Sequence, residues 1–258
     1  MNLLDLFVKI SVDDQASSNL GGIASKIGSG LKTAAKIGTA AVTAAAGAVS
    51  LLTKQSLDGY AEYEQLVGGV ETLFKQSADQ VIEYANRAYE TAGLSANEYM
   101  DTVTSFSASL LQGLGGDTEK AAEVANQAVI DMADNANKMG TSMEMIQNAY
   151  QGFAKQNYTM LDNLKLGYGG TATEMARLIN DSGVLGDTVE VTAETVNSVS
   201  FDKMIEAIHV IQEQMGITGT TAEEAASTIE GSVNMMKSGW SNLVAGIADD
   251  NADLDKLI

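Results

Sequence analysis

The chain has 258 residues, 45% of them apolar and 5% aromatic, with no cysteine and no proline, a composition that can bury a core and that differs from disordered sequences. Its formal charge is −19 and it holds two arginines, Arg87 and Arg177, which argues against direct nucleic-acid binding, since phosphate neutralisation by Lys and Arg supplies most of that affinity. The lack of cysteine excludes disulfides, a thiol nucleophile and cysteine-based zinc sites, and the lack of proline leaves glycine to punctuate the helices.

Four regions follow one another: an N-terminal segment over 1–19, a basic Ala/Gly-rich apolar helix over 20–57, a multi-helix region over 58–220 and a long helix over 221–258. Between Leu20 and Leu57 there is no acid, while Lys26, Lys32, Lys36 and Lys54 are present, so nearly all the negative charge lies beyond Leu57. Such an asymmetry marks a functional boundary. Within it, Ile37 to Thr53 is an uncharged run at the lower length limit for a membrane span, with Ile37, Gly38, Val42, Gly47, Val49, Leu51 and Leu52 as its candidate contact residues. Three readings fit: a helix packed on other helices, where small residues permit close approach, a conditionally membrane-inserting helix, and a constitutive anchor. The acids in the preceding MNLLDLFVKISVDD and the distance from the N-terminus speak against a secretory signal.

From Ser56 onward an amphipathic stretch, a glycine stop and a capping residue recur. Capping boxes are expected at Ser77 with Gln80, Ser95 with Glu98, Thr141 with Glu144, Thr171 with Glu174 and Thr221 with Glu224, and a simpler N-cap at Asp117. Gly93, Gly116, Gly140 and Gly219 precede these starts, where a helix must end. Apolar spacing is helical in between, as in Val81, Ala85, Ala88 and Ala92, and again in Phe201, Met204, Ile205, Ile208, Ile211 and Met215. Thr188 to Thr195 fits either a short strand or an irregular connector. The fold class expected is all-α: short glycine-punctuated helices in an irregular bundle, followed by a long coiled-coil-like C-terminal helix.

That last segment carries a strict four-three repeat in Ala222, Ala226, Ile229, Val233, Met236, Trp240, Leu243 and Ile247, resumed by Leu254 and Leu257 after a polar Asp250. A 3.5-residue period maintained this long reads as an oligomer seam, with one long helix lying on the domain as the alternative. Gly231, Gly239 and Gly246 lower helix propensity by up to about 1 kcal/mol each relative to Ala, but they fall outside the seam positions.

No catalytic, metal or cofactor site is expected. The lone histidine, His209, reads as solvated or packed, and GLGG (Gly113 to Gly116) and GYGG (Gly167 to Gly170) lack the Gly-Lys-Ser/Thr ending of a phosphate loop. Asp249, Asn251 and Asp253 alternate like a calcium loop, but Leu254 stands where its glycine belongs. Glu223 and Glu224 suit the first turn of a helix, where the dipole favours acids. The methionines between Met139 and Met145 fit core packing or an adaptable partner surface, and Tyr150, Phe153 and Tyr158 fit packing.

The stretch Gln151 to Gly170, QGFAKQNYTMLDNLKLGYGG, resembles the core region of phage tail tape measure proteins. So, in the same order as in that family, do Glu62 to Phe74, Arg87 to Phe106 and Ser109 to Tyr150. The resemblance implies a non-enzymatic structural protein of the virion tail, the N-terminal part of a tape measure protein or a short member of the family. Such a protein sets tail length by templating tube assembly and assists DNA ejection. It would be found in host cytoplasm during assembly and then in the tail lumen. The implied partners are tail-tube and tail-tip proteins, tail assembly chaperones and the host membrane, and resemblance and seam together suggest a parallel homo-oligomer such as a trimer. Helix rise being constant, this chain fully helical would span about 390 Å. The ruler proper is expected to start near Thr221, and the end inside a heptad suggests truncation. A membrane-active, pore-forming helical protein and a helical scaffold or adaptor are the alternatives.

Overall fold

The computed structural model describes residues 58–186, 188–227 and 229–246, which are mostly helical with no strand among them. Helix α1 covers 58–74. A 3₁₀ turn, Lys75–Ser77, then leads to α2 (Ala78–Thr91), α3 (Ala96–Gly113), α4 (Thr118–Met139) and α5 (Met143–Phe153). A second 3₁₀ turn, Leu161–Leu164, precedes α6 (Ala172–Ser182), and a third, Val196–Ser198, precedes α7 (Phe201–Gln214), α8 (Thr220–Ser227) and α9 (Ile229–Gly246). Residues 66–238 form one compact unit, and the described residues 58–65 and 239–246 belong to a second. In that second unit Tyr60 stacks on Tyr63 with ring centroids 6.3 Å apart, and Gly59 lies against Ala245.

The larger unit is arranged around α4, which packs against α2, α3, α5, α7 and α8. Its first half buries Ala121, Ala122, Ala125 and Ala128 completely, and side chains this short let several helices approach one axis, since interaxial distance follows the residues at the contact. Asp117 starts the helix by accepting from the Lys120 amide at 3.1 Å. Gly140 ends it at φ 64°, its amide returning to Ala136 O at 3.0 Å, a left-handed C-cap.

The capping pattern is realised in part, and the departures have local causes. Ser95 and Glu98 form the full reciprocal box, with Ser95 N donating to Glu98 Oε2 at 2.8 Å. Thr171 accepts from Glu174 N at 3.2 Å, but the Glu174 carboxylate takes Gly169 N and pairs with Arg177 instead of returning to Thr171. Ser77 ends a 3₁₀ turn whose Lys75 carbonyl already accepts from the Ala78 amide at the start of α2, and its hydroxyl turns to Thr118 Oγ1 at 2.9 Å. Thr141 is one residue early: Ser142 caps α5, while the buried Thr141 hydroxyl donates to Asn163 O at 2.9 Å. Thr188 to Thr195 is an irregular connector, held at Val191, whose N–H and C=O both pair with the Asn180 side chain at 2.9 and 2.8 Å.

Gln151 to Gly170 folds as a tight turn pinned at both ends. Phe153 stacks on Tyr158 and contacts Tyr150, and Leu161 and Leu164 are completely buried. At its end Tyr168 carries the Arg177 guanidinium 4.2 Å above its ring, while Arg177 Nη2 donates to Gly167 O at 2.9 Å. A Cβ on Gly170 would lie 2.3 Å from Thr159 O, against 3.6 Å from the flexible Glu174 side chain for one on Gly169. Gly170→Ala is therefore expected to lower stability by about 3 kcal/mol, the upper end of overpacking effects, and Gly169→Ala by under about 1 kcal/mol. Urea unfolding of the two variants side by side checks this; equal midpoints would contradict the close approach.

Candidate functional site: a carboxylate clasp on α8

The second half of α4 changes character. Asp131, Asp134 and Asn135 are completely buried. A buried charge is tolerated only when paired and hydrogen-bonded, and each of these side chains has a distinct partner. Asp131 Oδ1 lies 2.9 Å from His209 Nδ1 on α7 and accepts from Gln127 Nε2 at 3.0 Å. Asn135 Nδ2 donates to Leu164 O at 2.9 Å, so α4 also holds the 3₁₀ turn of the Gln151 to Gly170 block.

Asp134 works at longer range. Its Oδ2 accepts from Gly219 N at 2.6 Å and its Oδ1 from Thr221 N at 2.8 Å, so a residue on α4 caps a helix whose leading residue, Gly219, lies 85 positions later in the chain. Gly219 adopts φ 83° to turn its amide inward. Ile217, 1% exposed, anchors the turn from α7, with its amide on Gln212 O at 2.9 Å. Ionised acceptors at a helix N-terminus are the strong form of such a cap, since two backbone dipoles and the helix dipole face one carboxylate. The sequence pattern at Thr221 with Glu224 is replaced by this remote cap, and Thr221 Oγ1 is buried without a hydrogen-bond partner.

The electrostatics follow from the geometry. The hydrogen bond to Asp131 raises the His209 pKa above its ordinary value, partial burial opposing it and the charges of Asp131, Glu213 and Asp134 adding to it. Burial pushes the Asp131 carboxyl up, and the hydrogen bond from His209 works against that rise. Beside the clasp, Ser238 Oγ donates to Gly93 O at 2.7 Å, and a groove of about 340 Å³ runs past Leu94, Ala133, Ala136, Met143, Thr221 and Lys237. Among the described residues no group of three or more His, Cys, Asp or Glu side chains could hold a metal ion.

The other candidates are placed as follows. Ile37, Gly38, Val42, Gly47, Val49, Leu51 and Leu52 lie outside the described residues, as do Ile247, Asp249, Asn251 and Asp253. No helix among the described residues is long and apolar enough to cross a membrane. Ala222 and Ala226 lie on α8, and Ile229, Val233, Met236, Trp240 and Leu243 on α9. Of those with described side chains, Trp240 is 55% exposed, Ala222 is exposed and Leu243 is half-buried. His209 is packed, as expected, but it is also ion-paired. Asp131 and Asp134 were not singled out from the sequence, although a signal existed. Asp131 and Asn135 fall three and seven residues after Ala128 and so share the stripe of Ala121 and Ala128, where an acid is out of place unless paired.

Comparison with protein-family models, with curated proteins and with solved structures gives no match. The clasp can therefore be interpreted only from its own geometry: it ties the first turn of α8 to α4. Asp134→Ala removes two charge-assisted bonds and leaves two inward-facing amides, and a loss of about 3 kcal/mol is expected. Asp117→Ala, at an exposed cap, is expected to lose about 1 kcal/mol. Chemical denaturation of both variants tests the contrast, and similar losses would show that the clasp is no stronger than a surface cap.

Proposed function

We propose that the chain is a structural protein of a phage tail, similar to tape measure proteins, with a helical body that carries a seam for association with further copies. In this reading residues 221–258 begin a coiled-coil ruler, tail-tube subunits assemble around the oligomer, and the glycine-turned body, including Gln151 to Gly170, is a folded module attached to it. Tail-tip proteins, tail assembly chaperones and the host membrane are the further partners, the tail lumen and host cytoplasm the locations, and binding rather than catalysis the mode of action.

One structural observation favours it beyond the sequence resemblance. Ser238 and Asn242, on the face of α9 opposite Trp240, are 8% and 5% exposed, whereas Trp240 at a seam position is 55% exposed. Helix α9 thus buries Ser238, Asn242 and Val244 and leaves Trp240 exposed beside a half-buried Leu243, so that part of its seam is available to a partner.

Ile229→Asp and Leu243→Asp place charge on the seam, and in the full chain each is expected to abolish self-association in sedimentation velocity runs. An unchanged sedimentation coefficient would remove the seam. The tail assignment has its own test in the coding neighbourhood, where a tail-tube gene upstream and a distal-tail gene downstream are expected; a locus without tail genes would overturn it.

A further inference from the structure

Two buried carboxylates three residues apart on α4 have different tasks, one pairing with a histidine and one capping a helix. Asp131 and Asp134 stand on adjacent turns of one face, and the charge of Asp134 adds to the burial that holds the Asp131 carboxyl up. The cap uses both oxygens of Asp134, which accept from Gly219 N at 2.6 Å and Thr221 N at 2.8 Å, and a carboxylate is a far better acceptor than a carboxylic acid. Among the described residues, the one side chain in contact with this pair that can carry a positive charge is His209, through Nδ1 on Asp131. We propose that the Asp131–His209 pair and the Asp134 cap act as a single proton-gated latch, in which protonated His209 holds α8 onto α4 and loss of its proton loosens that hold.

The charged groups acting on His209 are Asp131 and Asp134 from α4 and Glu213 from its own helix; α3 and α6, which also pack against α7, contribute none among the described residues. All three are acidic, so proton loss leaves an uncompensated negative cluster. The proton leaves from Nε2 to solvent, which the 27% exposure of the His209 side chain permits, while Nδ1–H stays on Asp131. The hydrogen bond survives and the charge does not. Asp131 and Asp134 then repel across a low-dielectric interior, and the strain is relieved most readily where a helix end can open, at the amides of Gly219 and Thr221. Because His209 is raised above its unfolded value, the latch is fully closed below about pH 6.5 and opens as pH rises through the raised value. This property belongs to the clasp itself and does not rest on the tail assignment.

Amide hydrogen exchange of the full-length protein from about pH 6 to about pH 9 spans that titration. Dividing each rate by its intrinsic value gives protection factors for Gly219 and Thr221, while the imidazole ring-proton shifts report His209 directly. Protection of both amides is expected to fall with the His209 midpoint, roughly tenfold for each unit by which the pair raises it. Protection of the Lys120 amide at the Asp117 cap is expected to stay level. His209→Gln keeps a donor without the charge, and it should show the low protection at every pH. Flat protection at Gly219 and Thr221 through the His209 titration would overturn the latch, as would a fall shared equally by Lys120. The wild-type titration decides the matter by itself if the variant does not fold.

Discussion

The larger unit is organised by the requirement that two carboxylates be buried in the middle of α4. Leaving either without partners would oppose folding by more than most single contacts contribute. The neighbours are therefore constrained: α7 must bring His209 to Asp131, and the chain after α7 must turn at Gly219 so that its amides reach Asp134. Apolar packing alone would leave several registers of α7 and α8 on an alanine surface nearly equal, because alanine offers little shape to discriminate among them. Directional bonds to fixed carboxylates select one. Here the polar groups choose the arrangement and the alanines permit its closeness.

The same division of labour holds for Gln151 to Gly170. Aromatic stacking of Phe153 and Tyr158 and burial of Leu161 and Leu164 supply the attraction. Asn135 on α4 and the Arg177 contacts to Tyr168 and Gly167 then fix where the turn sits. Gly170 is required because the Thr159 carbonyl occupies the space that a side chain would need. A stretch built this way is a folded corner of the larger unit, fixed by contacts to α4 and α6.

Much of the helix content was legible in the sequence, because apolar spacing and local caps such as Ser95 with Glu98 and Asp117 are properties of a few consecutive residues. The misplacements at Ser77, Thr141 and Thr221 share one cause: a hydroxyl or a helix-start amide takes the partner that tertiary packing provides. Ser77 finds Thr118, Thr141 finds the Asn163 carbonyl, and the helix after Gly219 finds Asp134. The clasp was illegible for the same reason. Asp131 and Asp134 look like ordinary helix-surface acids until the stripe they occupy is seen to face inward, and nothing near them names His209 or Gly219 as partners.

The remote origin of the α8 cap also bears on the order in which the chain acquires structure. Helix α3 carries its capping box within its own first turn, so its start is available as soon as those residues are made, and a costly nucleus is offset locally. Helix α8 has eight residues, too few to persist in isolation in water, and its cap lies on α4, 85 positions upstream of Gly219. It therefore gains its N-terminal bonds only after a long loop has closed, and closure of that loop is opposed by chain entropy. Helix α8 thus gains its start only after the part of the chain that carries its cap has folded.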